Sequence, residues 1–341
     1  MPRAKLNNVL VTGGAGFIGS HTVVELAAAG YRPIIIDDFS NSEHSVIKNI
    51  EKITSQKTIV YEGKFQNPKL LEKVFKTHDV SGVIHFAAFK AVGESVEEPL
   101  KYYQNNVSGM VELLNSLLVH KINNFVFSSS AAVYGEPPVK LVSETTACAP
   151  ASPYGWSKYM DEIVLRDTCA SQPVFRGTAL RYFNVVGAHE TALIGELPKG
   201  RPQNLLPIIV QACTGKIPPL TVFGDDYPTP DGTCLRDYIH VIDLAKAHVA
   251  ALAKLNQAKA SNNFSVYNLG SGKPTSVLEL IRTFQSVNNV KVPYKVGARR
   301  AGDPAAYYAS PKKANKELGW QANKTVRDAV ADAWRWQQTL S

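Results

Sequence analysis

The chain has 341 residues, a hydrophobic content of 45% and a formal net charge of +8 at pH 7, so it can bury a large core in one domain or two. Its basic residues are scattered rather than clustered, which argues against a nucleic-acid-binding protein. No apolar run reaches the ~20 residues of a membrane span, and no signal-peptide pattern precedes the first predicted strand, so the sequence predicts a cytoplasmic protein without membrane association.

The first predicted element is a buried strand at residues 9–12, followed by a glycine-rich turn and a helix over residues 20–29. In the turn, Gly14, Gly16 and Gly19 match the G-x-G-x-x-G fingerprint of dinucleotide-binding folds. Glycines there permit a tight turn and let the backbone approach a pyrophosphate, whose charge lies at the helix N-terminus. The segment therefore predicts a dinucleotide site.

The second predicted strand, at residues 33–36, is followed directly by Asp37. A carboxylate at this point binds the adenosine ribose and would repel a 2′-phosphate, so we predict NAD rather than NADP as the cofactor. Asp38 is the alternative residue for this role.

Strands and helices continue to alternate along the first half of the chain. Predicted strands at residues 83–87, 125–128 and 177–181 are separated by predicted helices at residues 107–120 and around Tyr154. This alternation predicts an α/β fold of the Rossmann type, a doubly wound parallel sheet that binds ligands at the carboxyl ends of its strands. Polar residues follow three of these strands: Lys90, Ser128 to Ser130, and Asn184.

After residue 187 the alternation breaks up and prolines become frequent. We therefore predict an NAD-binding Rossmann domain over residues 1–187. A smaller, loop-rich C-terminal α/β lobe over residues 188–341 mainly binds substrate, with some segments returning to the Rossmann domain. The cysteines lack the spacing of a zinc site or a CxxC motif, so we predict reduced thiols and no bound metal. They are Cys148, Cys169, Cys213 and Cys234.

Tyr154 and Lys158 lie one helical turn apart, on the same face of a predicted helix. A phenol titrates near about 10, and a nearby cation favours its ionised form, so the pair indicates proton transfer in carbonyl/alcohol redox chemistry. Alone, such a pair is more often an ordinary surface pair of an amphipathic helix. The predicted dinucleotide site favours the catalytic interpretation.

Ser130 is predicted to face the helix that carries Tyr154, where its hydroxyl can share or relay a proton between the substrate alcohol and the phenol. Ser128 and Ser129 are interpreted either as strand-end residues or as residues near the nicotinamide. Enzymes of this architecture that eliminate water or carbon dioxide need a carboxylic acid after Ser130, and Ala131 and Ala132 provide none.

Over about residues 9–336 the chain resembles the UDP-glucose 4-epimerase family of extended short-chain dehydrogenases/reductases. The matching blocks, in order, are residues 12–21, 85–88, 90–95, 154–158, 180–184, 231–233 and 236–241. The resemblance implies that Tyr154, ionised under the influence of Lys158 and the cationic nicotinamide, removes the proton of the sugar 4-OH while C4 gives its hydride to NAD. The 4-keto sugar then turns over and takes the hydride back on its other face, so NAD stays bound.

The resemblance also implies a set of binding residues. Those expected to contact NAD are Gly13, Gly16, Phe17, Ile18, Asp37, Asn41, Ser42, Phe86, Ala87, Lys90, Asn105, Lys158 and Tyr182. Those expected to contact the UDP-sugar, besides Ser130 and Tyr154, are Asn184, Asn204, Leu205, Phe223, Arg236, Tyr238, Arg300, Asp303 and Tyr307. An arginine suits a pyrophosphate because its planar fork donates two hydrogen bonds at once. From the sequence alone, Lys90, Arg236 and Arg300 could also be ordinary surface charges, and Asn105 a helix cap.

Two positions bear on specificity. Tyr307 aligns with a family position where a bulky side chain narrows the sugar pocket, which predicts activity on UDP-galactose and UDP-glucose and little on UDP-N-acetylglucosamine. Lys64 stands where the family usually has an aspartate that receives the adenine amino group, so either NAD is held more loosely or adenine contacts come from the backbone and Phe65. The family commonly pairs through helices, which implies a homodimer by analogy.

Other functions stay open at this point. The chain could be an epimerase of another UDP-sugar, or a nucleotide-sugar dehydratase or decarboxylase, against which Ala131 and Ala132 argue. A redox-sensing binding protein that keeps the nucleotide fold without the chemistry would have no reason to combine Tyr154, Lys158 and Ser130.

Overall fold

The computed structural model describes residues 7–200, 202–257, 263–300 and 303–340. Its strands in chain order are β1 Asn8–Thr12, β2 Arg32–Asp37, β3 Ile59–Glu62, β4 Val80–His85, β5 Asn124–Ser128, β6 Leu141–Val142, β7 Arg176–Tyr182, β8 Asn184–Val186, β9 Leu220–Phe223, β10 Leu235–His240, β11 Phe264–Leu269, β12 Pro274–Ser276, β13 Tyr294–Gly297 and β14 Ala306–Ala309. Its helices are α1 Phe17–Ala28, α2 Ser45–Thr54, α3 Pro68–Thr77, α4 Val92–Glu97, α5 Pro99–Tyr102, α6 Gly109–Val119, α7 Pro153–Ser171, α8 Leu205–Cys213, α9 Val241–Gln257, α10 Val277–Asn288, α11 Lys312–Leu318 and α12 Val326–Gln338.

Seven parallel strands form the main sheet, in the order β11-β7-β5-β4-β1-β2-β3. The order reverses between β1 and β4, which in doubly wound sheets is where a crevice opens at the carboxyl ends of the strands. The predicted fold class, a Rossmann-type parallel sheet, is confirmed. At this edge, β1 leads into the glycine turn and β4 into Phe86, while β2, β5 and β7 end at Asp37, Ser128 and Tyr182.

The central strands are buried along almost their whole length because helices cover both faces of the sheet. β1 is buried at every residue, as expected for a parallel strand rich in Val and Leu. One apolar cluster packs α1 and α9 against one face, and a second packs α3, α6 and α7 against the other. These two layers fix the height of α7, and with it the position of Tyr154, relative to the sheet.

The second half of the chain builds a smaller sheet and also rejoins the large one. Strands β12, β10, β14 and β6 pair in that order, β8 adds to β10, and β13 pairs with β9. Helices α8, α10 and α12 enclose a separate apolar cluster. Strand β11 forms the edge of the large sheet beside β7, and α9 packs against α1.

One local expectation needs correction, and another is confirmed. The region after residue 187 is less loop-rich than predicted, because it contains five of the helices given above, α8 to α12. The helix predicted over residues 107–120 is present as α6, Gly109–Val119, and a π-helical turn, Tyr103–Ser108, runs into it. The wide turn contains Asn105 and Asn106, and the Asn106 side chain bonds both to the backbone of Phe89 and to Ser157 on α7.

Candidate active site

The glycine turn after β1 has the geometry that a dinucleotide requires. Gly13 has φ +70°, and a Cβ there would lie 2.8 Å from the amide nitrogen of Ala87; a Cβ on Gly19 would lie 2.1 Å from the carbonyl oxygen of Gly13. Helix α1 begins at Phe17 with no acidic residue in its first turn. The backbone amides and the positive end of the helix dipole therefore suit a pyrophosphate, so these residues fit NAD.

Asp37, at the end of β2, connects that strand to the glycine turn. Its buried carboxylate accepts hydrogen bonds from the amides of Ala15 and Phe39 and from the hydroxyl of Ser42, each at 2.9 Å. Asp38 is exposed. Asp37 rather than Asp38 is thus the carboxylate beside the turn, where the adenosine ribose is expected.

The other predicted cofactor residues lie around the same crevice. Phe86 bonds through its amide to the carbonyl of Thr12. Lys90 pairs with Glu196 at 3.3 Å although its side chain is 55% exposed, so it is more than a freely solvated lysine. Asn105 lies inside the π-helical turn and accepts a hydrogen bond from Gln66 at 3.4 Å, so it does not cap a helix. Ile18 is in α1, and Asn41 is exposed in the loop after β2.

Phe65 does not offer its ring to adenine. The side chain is only 5% exposed and packs with its ring centroid 4.8 Å from that of His85, in the core beneath the sheet. Lys64 beside it is exposed. The expectation of an adenine contact from the Phe65 ring is therefore wrong, and only its backbone remains available for that purpose.

Tyr154 and Lys158 both lie on the buried face of α7, which Ser152 caps and Pro153 begins. Tyr154 is 8% exposed. The Lys158 ammonium donates to the carbonyl oxygen of Ser128 at 2.9 Å and lies 4.8 Å from the centre of the Phe127 ring. The lysine therefore ties α7 to the end of β5.

The protein environment alone does not make Tyr154 a base. Burial raises the pKa of the Tyr154 phenol, and the hydrogen bond with Ser130 offsets only part of this increase. Burial also lowers the pKa of Lys158 to about 8, against the opposing effect of the carboxylates of Asp161 and Glu162. The Lys158 ammonium keeps its charge while it bonds to the carbonyl of Ser128, so its effect on the Tyr154 pKa, together with that of a cationic nicotinamide, stays a prediction.

The hydroxyls of Ser128 and Ser130, at and just after the end of β5, form hydrogen bonds with different partners. The Ser128 hydroxyl forms a 2.5 Å hydrogen bond with the hydroxyl of Tyr182. Ser130 caps a 3₁₀ turn, Ala131–Tyr134, and its hydroxyl accepts from the amide of Ala132 at 3.1 Å. The Ser128 hydroxyl is therefore bonded to Tyr182, which is predicted to contact NAD, whereas Ser130 is the serine next to the Tyr154 phenol.

Two pairs of predicted UDP-sugar residues lie along β10, Arg236 with Asp303 and Tyr238 with Asn184. Arg236 donates to the carbonyl of Pro304 at 2.8 Å and forms an ion pair with Asp303 at 3.3 Å. Tyr238, two residues along β10, is buried and faces Asn184 across the parallel β8–β10 pairing. Arg236 is thus held in place at the start of β10, with its charge partly balanced by Asp303.

Tyr307 reaches from β14 to the turn that contains Ser130. Its ring packs 4.9 Å from the ring of Phe183, and its hydroxyl donates to the carbonyl of Ala131, the residue after Ser130. The aromatic ring that is predicted to narrow the sugar pocket therefore lies beside the serine that is predicted to share the proton.

The remaining predicted substrate residues are more peripheral. Asn204 stands at the start of α8, directly before Leu205, while Phe223 is 46% exposed at the end of β9. Arg300 is exposed and bonds through its carbonyl to the amide of Asp303. Among the described residues, the side chains of Phe223 and Arg300 form no hydrogen bond or ion pair with the other predicted substrate residues.

Glu196 is a site residue that the sequence analysis missed. Its carboxylate accepts a hydrogen bond from Lys90 at 3.3 Å and another from Asn204 at 2.8 Å. It therefore links a predicted cofactor residue to a predicted substrate residue. No local motif marks Glu196, because its two partners come from distant segments.

Asp161, one turn beyond Lys158, gives a prediction about pH. It is buried, neither carboxylate oxygen has a hydrogen-bond partner among the described residues, and burial raises its pKa well above the usual range. The native state thus holds this proton more tightly than the unfolded chain, so stability is lost as pH rises above the ordinary carboxyl pKa of about 3.9. Asp161→Asn removes this dependence, and its free energy of unfolding should increase relative to the wild type between pH 5 and pH 8.

Urea denaturation at several pH values measures the effect. Asp167→Asn, which changes an exposed carboxylate on the same helix, is the matched control and should show no such trend. A pH-independent difference between Asp161→Asn and the wild type would contradict the prediction.

No three or more His, Cys, Asp or Glu side chains within the described residues are grouped so that they could hold a metal ion. None of the helices in the described ranges is both long and apolar enough to cross a bilayer.

The geometry and the comparisons together define the class of the protein. A glycine turn, a ribose carboxylate and a buried Tyr–Lys helix beside a serine characterise an NAD-dependent enzyme of the extended short-chain dehydrogenase/reductase type. A family model described as GDP-mannose 4,6 dehydratase matches residues 10–333, consistent with that class.

Relatives narrow the class further. A UDP-glucose 4-epimerase from Dictyostelium discoideum is 47% identical over 331 residues, covering 97% of this chain and 96% of the relative. The crystal structure of UDP-glucose 4-epimerase from Stenotrophomonas maltophila, with bound NAD and formylated UDP-arabinopyranose, is 44% identical, with a TM-score of 0.95 and 98% coverage of both chains. That from Bifidobacterium longum, with NAD⁺ and UDP, is 44% identical, with a TM-score of 0.91 and 98% coverage of both. The chain belongs to the UDP-glucose 4-epimerase family.

Proposed function

We propose that this protein interconverts UDP-galactose and UDP-glucose by oxidation and re-reduction at C4 of the sugar, with NAD retained throughout. The observation that carries the proposal is the buried position of Tyr154 on α7, where its phenol bonds to Ser130. Lys158 holds the same helix at the carboxyl end of β5 through its hydrogen bond to the carbonyl of Ser128. The family membership supports the same reaction. A second UDP-sugar as the natural substrate is the alternative.

The protein residues handle the proton, the charge and the position of the substrate. When bound, NAD supplies the hydride acceptor and donor. The Oη of Tyr154 takes the proton of the sugar 4-OH, and the Oγ of Ser130 shares it, so the same pair returns it after the 4-keto sugar has turned over. Arg236 neutralises the UDP pyrophosphate with its planar guanidinium. Firm binding of UDP leaves the sugar free to rotate in its pocket.

The same site argues against elimination chemistry. A dehydratase or decarboxylase needs an acid beside the catalytic serine, and the 3₁₀ turn after Ser130 begins with two alanines, Ala131 and Ala132. The 4-keto sugar therefore has no nearby group from this turn to drive loss of water.

A simple assay tests the proposed function. Purified protein is incubated with UDP-galactose and no added cofactor, and UDP-glucose is measured by NMR. The proposal expects conversion towards a mixture of both sugars because NAD copurifies with the protein. A lack of product, or a need for stoichiometric NAD, would overturn it.

We also propose that Tyr307 makes the protein selective for UDP-sugars without an N-acetyl group. Because the Tyr307 ring lies beside the catalytic turn, it restricts the space near the sugar. The wild type should turn over UDP-galactose at least about tenfold better than UDP-N-acetylgalactosamine, since a poorly fitting group in a pocket costs about 1–3 kcal/mol. Tyr307→Ser should reduce this ratio. Comparable kcat/KM values for both substrates in the wild type would contradict the prediction.

We also propose a homodimer, formed through the helices beside the active site. Apolar side chains at helical spacing are exposed on α4, α5 and α7, which pack against one another. They are Val92, Val96, Leu100, Trp156 and Met160, with exposures of 43%, 62%, 80%, 41% and 37%. A second copy of this chain is the occupant that would cover such a face, because the same patch can meet itself across a two-fold axis.

Leu100→Glu tests the dimer. A charge buried in an apolar interface is strongly unfavourable, so this variant should be monomeric where the wild type is dimeric in multi-angle light scattering. Val119→Glu, at a 77% exposed apolar residue on α6, is the control and should leave the mass unchanged. A monomeric wild type would refute the dimer.

The remaining assignments follow from the same proposal. Residues 1–187 mainly bind NAD, and residues 188–341 mainly bind the UDP-sugar while contributing β11 and α9 to the large sheet. The four cysteines, all among the described residues, form no disulfide, which fits the cytoplasm. The interconversion of these two sugars belongs to galactose metabolism.

A further inference from the structure

A buried ion pair lies behind the catalytic residues. Arg181, near the end of β7, donates to both carboxylate oxygens of Glu162 on α7, at 2.5 to 3.1 Å. Their side chains are only 6% and 3% exposed. Removing two charges from water is costly, and apolar residues often stabilise a core equally well. The pair therefore calls for an explanation other than stability alone.

The ion pair holds both ends of the turn that contains Ser130. At one end, the hydroxyl of Ser129 donates to Glu162 at 2.5 Å. At the other end, Arg181 donates to the hydroxyl of Tyr134 at 2.9 Å. Because Ser130 lies between these two anchored residues, the position of its hydroxyl depends on the ion pair.

The same pair also connects this turn to the helix of Tyr154. Glu162 is one turn after Lys158, which itself bonds to the carbonyl of Ser128 at 2.9 Å. Two successive turns of α7 thus hold Ser128 and Ser129, the residues before Ser130, while Arg181 links Glu162 to Tyr134 after it. These contacts together set the separation between Ser130 and the phenol of Tyr154.

We propose that Glu162 and Arg181, acting through Ser129 and Tyr134, are positioning residues that hold Ser130 against the phenol of Tyr154 for proton transfer. They touch neither the sugar nor NAD. The inference rests on the proposed epimerase function. Proton relays demand this kind of support, because a displacement of about 1 Å can cost on the order of 10²-fold in rate.

Two mild variants test the inference without breaking the ion pair. Ser129→Ala and Tyr134→Phe each remove one hydroxyl and release one end of the turn. Each should lower kcat for UDP-galactose by roughly tenfold, a fraction of the effect of full displacement, and the double variant should lower it further. KM and the amount of bound NAD should stay within twofold of the wild type, because the UDP and NAD contacts are untouched.

A destabilised control separates positioning from stability. Leu117→Ala truncates a fully buried side chain of α6 in the core cluster shared with α7, so it should lower Tm at least as much as the two test variants while keeping the kcat of the wild type. C4-deuterated UDP-galactose adds a second readout, since slower hydride transfer in the test variants should increase the isotope effect on kcat.

The outcomes separate this inference from the proposed function. Wild-type turnover with unchanged kcat in both test variants would overturn the inference alone, as would an equal decrease in kcat in Leu117→Ala. Absence of turnover in the wild type would overturn the proposed function and the inference with it. A decrease in kcat confined to Ser129→Ala and Tyr134→Phe, with constant KM, would support the positioning role.

Discussion

Tyr154→Phe should lower kcat for UDP-galactose by about 10²- to 10⁴-fold, the usual contribution of a general acid–base group. The phenol Oη is the atom that receives the 4-OH proton, and the serine bonded to it has no basicity of its own to replace it. Phenylalanine keeps the ring that packs on the buried face of α7, where Tyr154 is 8% exposed. The fold, the NAD content and the KM should therefore change little.

The control for this variant is a second tyrosine on the same helix. Tyr159→Phe also removes a phenol from α7, while the ring keeps its packing beside Trp156 and against the apolar cluster that includes Ala131. It should retain wild-type kcat. Steady-state kinetics, with absorbance spectra to quantify bound NAD, give the comparison, and a Tyr154→Phe enzyme within tenfold of the wild type would remove Tyr154 from the mechanism.

Arg236→Met should increase KM for UDP-galactose by about 10- to 150-fold, because hydrogen bonds to charged groups contribute about 1.5–3 kcal/mol. The guanidinium is held by Pro304 and Asp303 at the start of β10, so its loss removes binding of the pyrophosphate in the ground state and the transition state alike. kcat should change much less than KM. The side chain is only partly buried, so the fold should tolerate the change.

Arg299→Met is the matched control for the arginine. Arg299 is nearby in sequence to the predicted substrate residues, but it pairs with Asp226 at 2.7 Å and lies over the ring of Tyr227. Initial-rate kinetics should give a wild-type KM for this variant. A KM for Arg236→Met equal to that of Arg299→Met would show that Arg236 does not bind the UDP-sugar.

Residues whose role depends on local geometry were predictable from the sequence. The glycine turn and Asp37 follow predicted strands directly. Their positions at the carboxyl edge therefore follow from the alternation of predicted strands and helices alone. Tyr154 and Lys158 share a helix face because they are one turn apart. The parallel sheet itself followed from the alternation of strands and helices.

Residues that act through distant partners were not predictable in this way. Glu162 lies one turn after Lys158, on the same face, but its partner Arg181 is on another strand and only the packing of α7 on the sheet brings them together. Lys158 binds the carbonyl of Ser128, a backbone acceptor that carries no sequence signal. Glu196 was not predictable for the same reason, because its partners Lys90 and Asn204 come from two other segments of the chain.

The prolines explain the error in the second half of the chain. The frequent prolines after residue 187 predict loop structure, yet one of them, Pro207, lies in the first turn of α8. In the first turn of a helix an amide hydrogen is not needed for the helical hydrogen bonds, so proline is tolerated there. Likewise, β11 comes late in the chain but pairs with β7, and its partner was not evident from the sequence.

The fate of the C4 hydrogen tests the central claim most directly. UDP-galactose carrying deuterium at C4 is incubated in ordinary water with the protein and no added cofactor, and the UDP-glucose formed is examined by NMR. Because the hydride removed from C4 is returned to the same carbon on its other face, the product should retain the deuterium at C4. Deuterium lost to solvent, or no UDP-glucose at all, would contradict a self-contained redox cycle.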